Sequence, residues 1–175
     1  MNKEYENKYN QLSANHCWFI ARRKLILDLM KHYNISSDMN ILEIGCGWGE
    51  LINKLNAKGF LNTSGFDISD EAVAHCKSSG LKNIEKMDVT NMRYSDNAFD
   101  LIIASDVLEH VEDQDLALKE IHRVLKKNGV FMVMVPAFKI LFGKHDLVVH
   151  GKRRYRKKEL KDILTSAGFK IDKIT

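Results

Sequence analysis

Between Asn40 and Leu51 the chain reads NILEIGCGWGEL. A short run of strand formers, Ile41, Leu42 and Ile44, drives into glycines at alternate positions, Gly45, Gly47 and Gly49, and a helix-compatible stretch follows at once. A strand that breaks into glycine at its carboxyl end and then opens a helix is how open α/β sheets make a nucleotide crevice, because glycine accepts φ > 0 and lets a ligand approach the main chain. Few other folds accommodate such a stretch.

The flanking pattern agrees. His16 to about Tyr33 carries Trp18, Phe19, Leu25, Ile26, Leu29 and Met30 at helical spacing. After the loop, the pattern predicts a helix over 49–57, a strand over 63–66 closed by Asp67, a helix capped by Ser69, and a weaker strand over 83–87 ending at Asp88. Phe99, Leu101, Ile102 and Ile103 form a near-continuous apolar run, as in a strand covered on both faces. An amphipathic helix over 113–127 follows, stopped by Asn128-Gly129, then an apolar strand over 130–135 cut by Pro136. Residues 137–155 read as a long loop, 157–166 as a helix, and 169–174 as a last strand. Strands alternating with helices over short connections imply an α/β fold with a mostly parallel sheet between two helical layers. The chain is one domain, with a polar arm and first helix over 1–35 and the sheet domain over 36–175.

Charge narrows the function. Six cations, Lys152, Arg153, Arg154, Arg156, Lys157 and Lys158, sit together, and without them 21 basic residues face 23 acidic ones. That is one local basic cluster, not the broad footprint of a nucleic-acid coat. Cys17, Cys46 and Cys76 form neither a zinc pattern nor a disulfide framework, as expected of a chain in a reducing cytoplasm. No apolar run is long enough to span a bilayer.

Five elements in order carry a family resemblance: the loop Glu43-Ile-Gly45-Cys-Gly47-Trp-Gly49, Asp67 ending the second strand, Asp88 after the third, the turn SDVLEHV at 105–111, and RVLKKNGVFMVMVP at 123–136. Over about residues 16–175 the chain resembles the class I S-adenosylmethionine-dependent methyltransferases of the small Rossmann-like type, similar to those of the ubiquinone and menaquinone pathways. The resemblance implies a three-layer α-β-α sandwich. The family sheet normally closes with a hairpin whose last strand is antiparallel; this chain stops at about the sixth strand, so the C-terminal strands of the usual seven are expected to be missing.

It also implies residue roles. Gly45, Cys46, Gly47 and Gly49 are implied as the cofactor loop and Glu43 as the acid that organises it near the methionine amino group. Asp67, about 20 residues on, has the spacing for ribose hydroxyls, with Ile68 beside it. Asp88 and the Val89 amide are implied for adenine. Ser105, by its backbone, and Asp106 would face the methyl donor, and Arg22, with Trp18 and Phe19, resembles a lid over the cofactor. Trp48 either stacks near the cofactor or plugs the loop. Asp106, Glu109 and His110 resemble a metal-holding E-x-x-E-H with Asp for the first Glu, a set chemically suited to a divalent ion. The wider family uses the same EH pair without metal to order the turn, and the metal-free reading is favoured.

In the loop after the fifth strand, His150 and secondarily His145 are candidate bases, because histidine titrates near neutrality; both also fit as surface residues. Arg153, Arg154 and Tyr155 either hold an anionic group of the acceptor or form a solvated helix start. The expected activity is SN2 methyl transfer from S-adenosylmethionine to a small or medium acceptor, giving S-adenosylhomocysteine, with oxygen the favoured acceptor atom. A silent cofactor- or partner-binding module of the same fold is the alternative. A nicotinamide-dependent reductase would want GxGxxG rather than GxGxG after a strand-end acid.

Overall fold

The computed structural model describes residues 16–175, so the arm assigned to residues 1–15 lies outside the described residues. Five strands form one sheet in the order β3-β2-β1-β4-β5. They are β1 (Ile41–Ile44), β2 (Thr63–Asp67), β3 (Ile84–Lys86), β4 (Phe99–Ser105) and β5 (Leu125–Met134). Every pairing is parallel: Ile44 lies beside Phe66 on one side and Ala104 on the other. The two most apolar runs, β1 and β4, lie inside the sheet, where both faces are covered. The sheet is the Rossmann-like α/β arrangement expected.

Alternation along the strands sorts side chains between two cores. Leu42, Ile44, Ile102 and Ala104 face Ala117, Leu118, Ile121 and Val124 together with Leu164. Ile41, Leu101 and Ile103 face Ile26, Met30, Leu51 and Leu55. The first core is therefore roofed by α4 (Gln114–Val124) and α6 (Lys157–Ser166), the second by α1 (Cys17–His32) and α2 (Glu50–Asn56). Helix α3 (Asp70–Ser78) packs through Val73 and Cys76 with Cys46, Ile52, Leu81 and Ile84. Ser69 caps α3 by accepting from the Ala72 amide, and Asp113 caps α4 by accepting from the Leu116 amide.

Three expectations need correction. The helix expected to run to Lys127 ends at Val124, and β5 begins at once: Phe99 pairs with Leu125 and Leu101 with Val130, leaving 126–129 as an irregular excursion with Asn128 at φ 67°. The long loop over 137–155 contains a 3-10 turn (Lys139–Leu141), the short α5 (Lys144–Val148) and a parallel bridge from Ala137 to Tyr155. The last strand does not form: residues 169–175 carry no ladder. Phe169 and Ile171 pack onto the first core instead, Phe169 against Phe131 with ring centroids 5.1 Å apart. Alternation specifies which side chains are buried, whereas a strand also needs a neighbouring backbone with open hydrogen-bonding groups. Helix α1 is also less amphipathic than its spacing suggests, since Trp18 and Leu25 are exposed while Ile26 and Met30 are buried.

Candidate functional site

The carboxyl ends of β1, β2 and β4 converge on the glycine loop. Gly45, Gly47 and Gly49 all have positive φ. The amides of Gly45 and Cys46 donate to the Phe66 carbonyl, which fixes the loop to β2. Asp67, the last residue of β2, accepts from the Gly47 amide at 2.8 Å through one oxygen and from the Ser69 amide at 2.9 Å through the other. Each carboxylate oxygen has a second lone pair, so both retain acceptor capacity. Behind the loop, the Cys76 thiol donates to the Gly47 carbonyl at 3.2 Å, and Trp48 stacks on His75 of α3 with centroids 4.0 Å apart. Cys46 is buried, and its neighbour Cys76 together with burial holds its thiol well above the ordinary value.

Glu43 faces the cleft from near the carboxyl end of β1. It is 8% exposed and its Oε2 is buried without a hydrogen-bond partner. Burial pushes its carboxyl well above the usual carboxylate range, reinforced by Cys76 and Asp67 and opposed by Arg23. A buried carboxyl with an orphaned oxygen beside an open glycine turn suits a cationic ligand group.

A deep cleft runs from this loop over the end of β4, lined by Glu43, Gly45, Gly47, Ser105, Asp106 and Glu109 among others. Arg22 of α1 crosses it, ion-paired with Asp106 and 3.3 Å from Ser105 Oγ. Its guanidinium also lies over the rings of Trp18 and Phe19, at 5.2 and 5.6 Å. Asp106 sits at φ 56°, with its amide donating to the Met134 carbonyl. The sequence suggests Arg22 for the cofactor and Asp106 for the methyl group; the fold brings the two together as a pair.

Asp67, Ile68, Asp88 and Val89 lie outside that cleft, at the carboxyl ends of β2 and β3 beside the loop. Ile68 is exposed, Val89 buried, and Asp88 accepts from both the amide and the hydroxyl of Thr90 at 2.8 Å. The geometry thus separates a deep side and an open shelf, with Gly47 and Asp67 joining them.

The segment after β5 is latched to the β4 turn. The Glu109 carbonyl accepts from the Lys152 amide at 2.9 Å, and the His150 carbonyl accepts from His110 Nδ1 at 3.1 Å. Arg153 donates to the Val111 carbonyl, and Arg154 forks onto buried Asp146 at 2.8 and 3.1 Å. Arg154 holds the Asp146 carboxyl below its ordinary range. Tyr155 is buried and bonded to Gln114. The basic residues offered as an anion site therefore hold the loop in place. His145 lines the cleft; His150 does not.

Glu109 is what sequence reasoning undervalued. It is 4% exposed, lines the cleft, and its Oε2 is buried without a partner. Burial raises its carboxyl to about 7, with Arg22 pulling the other way. Its apolar neighbours Leu108 and Val111 were the available hint. Among the described residues no three His, Cys, Asp or Glu side chains converge as a metal set. Asp106 is paired with Arg22, while His110 meets the His150 carbonyl through Nδ1 and has Nε2 4.0 Å from Glu109 Oε1.

The raised value makes a stability prediction. A carboxyl that keeps its proton in the fold favours folding below the ordinary value of 4.5, and that contribution is lost as pH rises through about 7. Glu109→Gln is therefore expected to match the wild type near pH 4.5 and to be more stable at pH 8, on the order of 2 kcal/mol. Urea titrations at the two pH values check this.

A family model described as a methyltransferase domain matches residues 7–174. The ubiquinone biosynthesis O-methyltransferase of Rickettsia canadensis is 29% identical over 133 residues, 73% of this chain and 56% of that protein. The demethylmenaquinone methyltransferase of Staphylococcus epidermidis is 29% identical over 158 residues, 81% of this chain and 65% of that protein. The chain thus spans little more than half the length of the first of these relatives. Among solved structures, the cyclase SpnF superposes with a TM-score of 0.73 at 25% identity, covering 89% of this chain and 60% of that one. An S-adenosylmethionine-dependent methyltransferase from Aquifex aeolicus gives 0.67 at 20% identity, covering 83% and 80%, a likeness of fold.

Proposed function

The chain belongs to the methyltransferase-domain family, and from that premise we propose that it binds S-adenosylmethionine on the Gly45–Gly49 loop and methylates a small or medium acceptor, at oxygen. The observation that carries this reading is the conjunction at the loop: an open glycine turn, Asp67 with spare acceptor capacity on one side, and the orphaned Glu43 oxygen on the other. Glu43 would face the ammonium of the methionine end. Asp67 would accept from the ribose hydroxyls, with Ile68 alongside, and Asp88 and the Val89 amide would meet the adenine. When bound, the cofactor supplies an electrophilic methyl group on a sulfonium.

Ser105 and the Arg22–Asp106 pair then form the floor against which the acceptor is positioned, and in-line placement removes much of the barrier. Glu109, rather than His150, is the proton acceptor we assign. It lines the cleft and is matched to neutral pH. Glu109 Oε2, buried without a partner at the cleft, would take the hydroxyl proton of the acceptor. His145, exposed at the cleft edge, is the secondary choice. No metal ion is assigned a part in this reading.

The second reading, a silent binder, is favoured by one feature: Arg22 spans the place where an acceptor would meet the methyl group. Release of S-adenosylhomocysteine over a panel of hydroxylated, amino and glycan acceptors separates the two. Turnover with a hydroxylated acceptor, insensitive to EDTA, is expected. Cofactor binding without turnover on any member would favour the silent module, and turnover confined to amines would move the acceptor atom to nitrogen.

A further inference from the structure

The segment after β5 exposes more large apolar side chains than any other part of the described residues. Phe138, Ile140, Leu141, Phe142, Leu147 and Val148 are all exposed, Ile140 at 92%. They lie on the 3-10 turn and on α5, and none belongs to the hydrophobic cores. This is not a frayed loop. Its far end is held by the Asp146–Arg154 pair, by the Gly151 amide donating to the Asp146 carbonyl at 2.7 Å, and by the Ala137–Tyr155 bridge. The backbone is fixed and the apolar side chains point away from it.

Charge says what would cover them. Residues 137–158 hold eight Lys or Arg and one Asp, although the rest of the chain carries more acidic than basic residues. Lys139 and Lys144 are exposed and stand among the apolar positions themselves. Lys139 pairs with Glu159 and Lys152 with Glu112, both at the surface, where such pairs are weak. Interfaces between proteins are depleted of lysine at their cores. Apolar side chains interleaved with long cationic ones suit a bilayer surface, with the apolar groups at the acyl boundary and the ammonium groups reaching the headgroups.

We propose that residues 138–148, with the lysines around them, form a docking surface for an anionic lipid bilayer. Phe138, Leu141 and His145 belong to the same segment and line the cleft, so docking sets the cleft mouth against the lipid, where an acceptor dissolved in the membrane would enter. The surface is independent of cofactor binding, and its test needs neither cofactor nor acceptor.

The experiment is co-sedimentation of the 175-residue chain with vesicles of phosphatidylcholine containing phosphatidylglycerol, and with vesicles of phosphatidylcholine alone. Binding is expected to the mixed vesicles, little to the neutral ones, and less as salt is raised. The double variant Ile140→Asp/Leu147→Asp should reduce it about tenfold or more. Lys139→Glu/Lys144→Glu should reduce it by at least about fivefold. All four side chains are exposed and none lines the cleft, so circular dichroism and cofactor titration of the variants should match the wild type. No binding to the mixed vesicles, or binding that survives both double variants, overturns the proposal. So does a concentration-dependent dimer abolished by Ile140→Asp/Leu147→Asp without vesicle binding, which would assign the surface to a second copy of the chain.

Discussion

Gly49→Ala should destabilise the fold by about 3 kcal/mol, while Gly47→Ala, two residues away, should cost only about 1–2 kcal/mol and weaken cofactor binding. Both glycines have positive φ, 76° at Gly49 and 51° at Gly47, which costs an alanine about 1–2 kcal/mol at either place. Their surroundings differ. A Cβ on Gly49 would stand 2.4 Å from Leu81 Cδ1 and 3.0 Å from Cys76 Sγ. Both neighbours are buried, so relief requires repacking the α3 side of the loop, at a further cost of about 1–3 kcal/mol. A Cβ on Gly47 meets nothing within 4 Å. That open space is where the proposed ligand passes from the shelf to the deep side. Thermal or urea unfolding should separate the two variants by roughly 1–3 kcal/mol, and titration with S-adenosylmethionine should rank them the other way, with Gly47→Ala about tenfold or more weaker than wild type. Equal stability losses would mean that the loop has no open side of the kind described.

Asp67→Ala should have the larger effect on affinity. The carboxylate has two duties: it receives the Gly47 and Ser69 amides, and in the proposed complex it accepts from the ribose hydroxyls. Hydrogen bonds to a charged group contribute about 1.5–3 kcal/mol each, so loss of the ligand pair alone corresponds to roughly a hundredfold or more in Kd. Asp67→Asn separates the duties, because one amide oxygen can still receive the Gly47 N–H while the NH2 group cannot accept from a hydroxyl. Asp67→Asn is therefore expected to hold its fold better than Asp67→Ala and still bind weakly. Calorimetric affinities of the two variants, set beside their unfolding free energies, check the division.

The fold could be read from periodicity because its deciding elements are local. A run such as ILEI followed by alternate glycines admits one backbone path, and the apolar run of β4 has to be covered on both faces. What periodicity misplaced depends on tertiary pairing. Lys126 to Gly129 look like a helix terminus, but pairing of Phe99 with Leu125 draws the strand back to the helix end. Phe169 and Ile171 alternate like a strand and are buried on one side, yet no ladder forms.

The site divides in the same way. Glu43, the glycines and Asp67 are fixed by position on a strand end, so their convergence follows from the topology. The pairing of Arg22 with Asp106 joins residues on different elements, and nothing local to either announces it. The cluster at Lys152–Lys158 illustrates the limit best. In sequence it is an open patch of charge. In the fold, Arg153 and Arg154 are spent on the Val111 carbonyl and on Asp146, and charge patterning cannot distinguish a cation held inward from one facing a ligand. Glu109 was obscured by its neighbour: the Glu-His pair reads as a turn-ordering or metal-holding motif, whereas the fold buries the carboxyl and sets His110 between the His150 carbonyl at Nδ1 and Glu109 Oε1, 4.0 Å from Nε2.

The most direct measurement is isothermal titration of the wild-type chain with S-adenosylmethionine and, in parallel, with NADH. Saturable one-to-one binding of S-adenosylmethionine and no heat with NADH is the predicted result. Clear binding of NADH with none of S-adenosylmethionine would contradict the assignment of the Gly45–Gly49 loop.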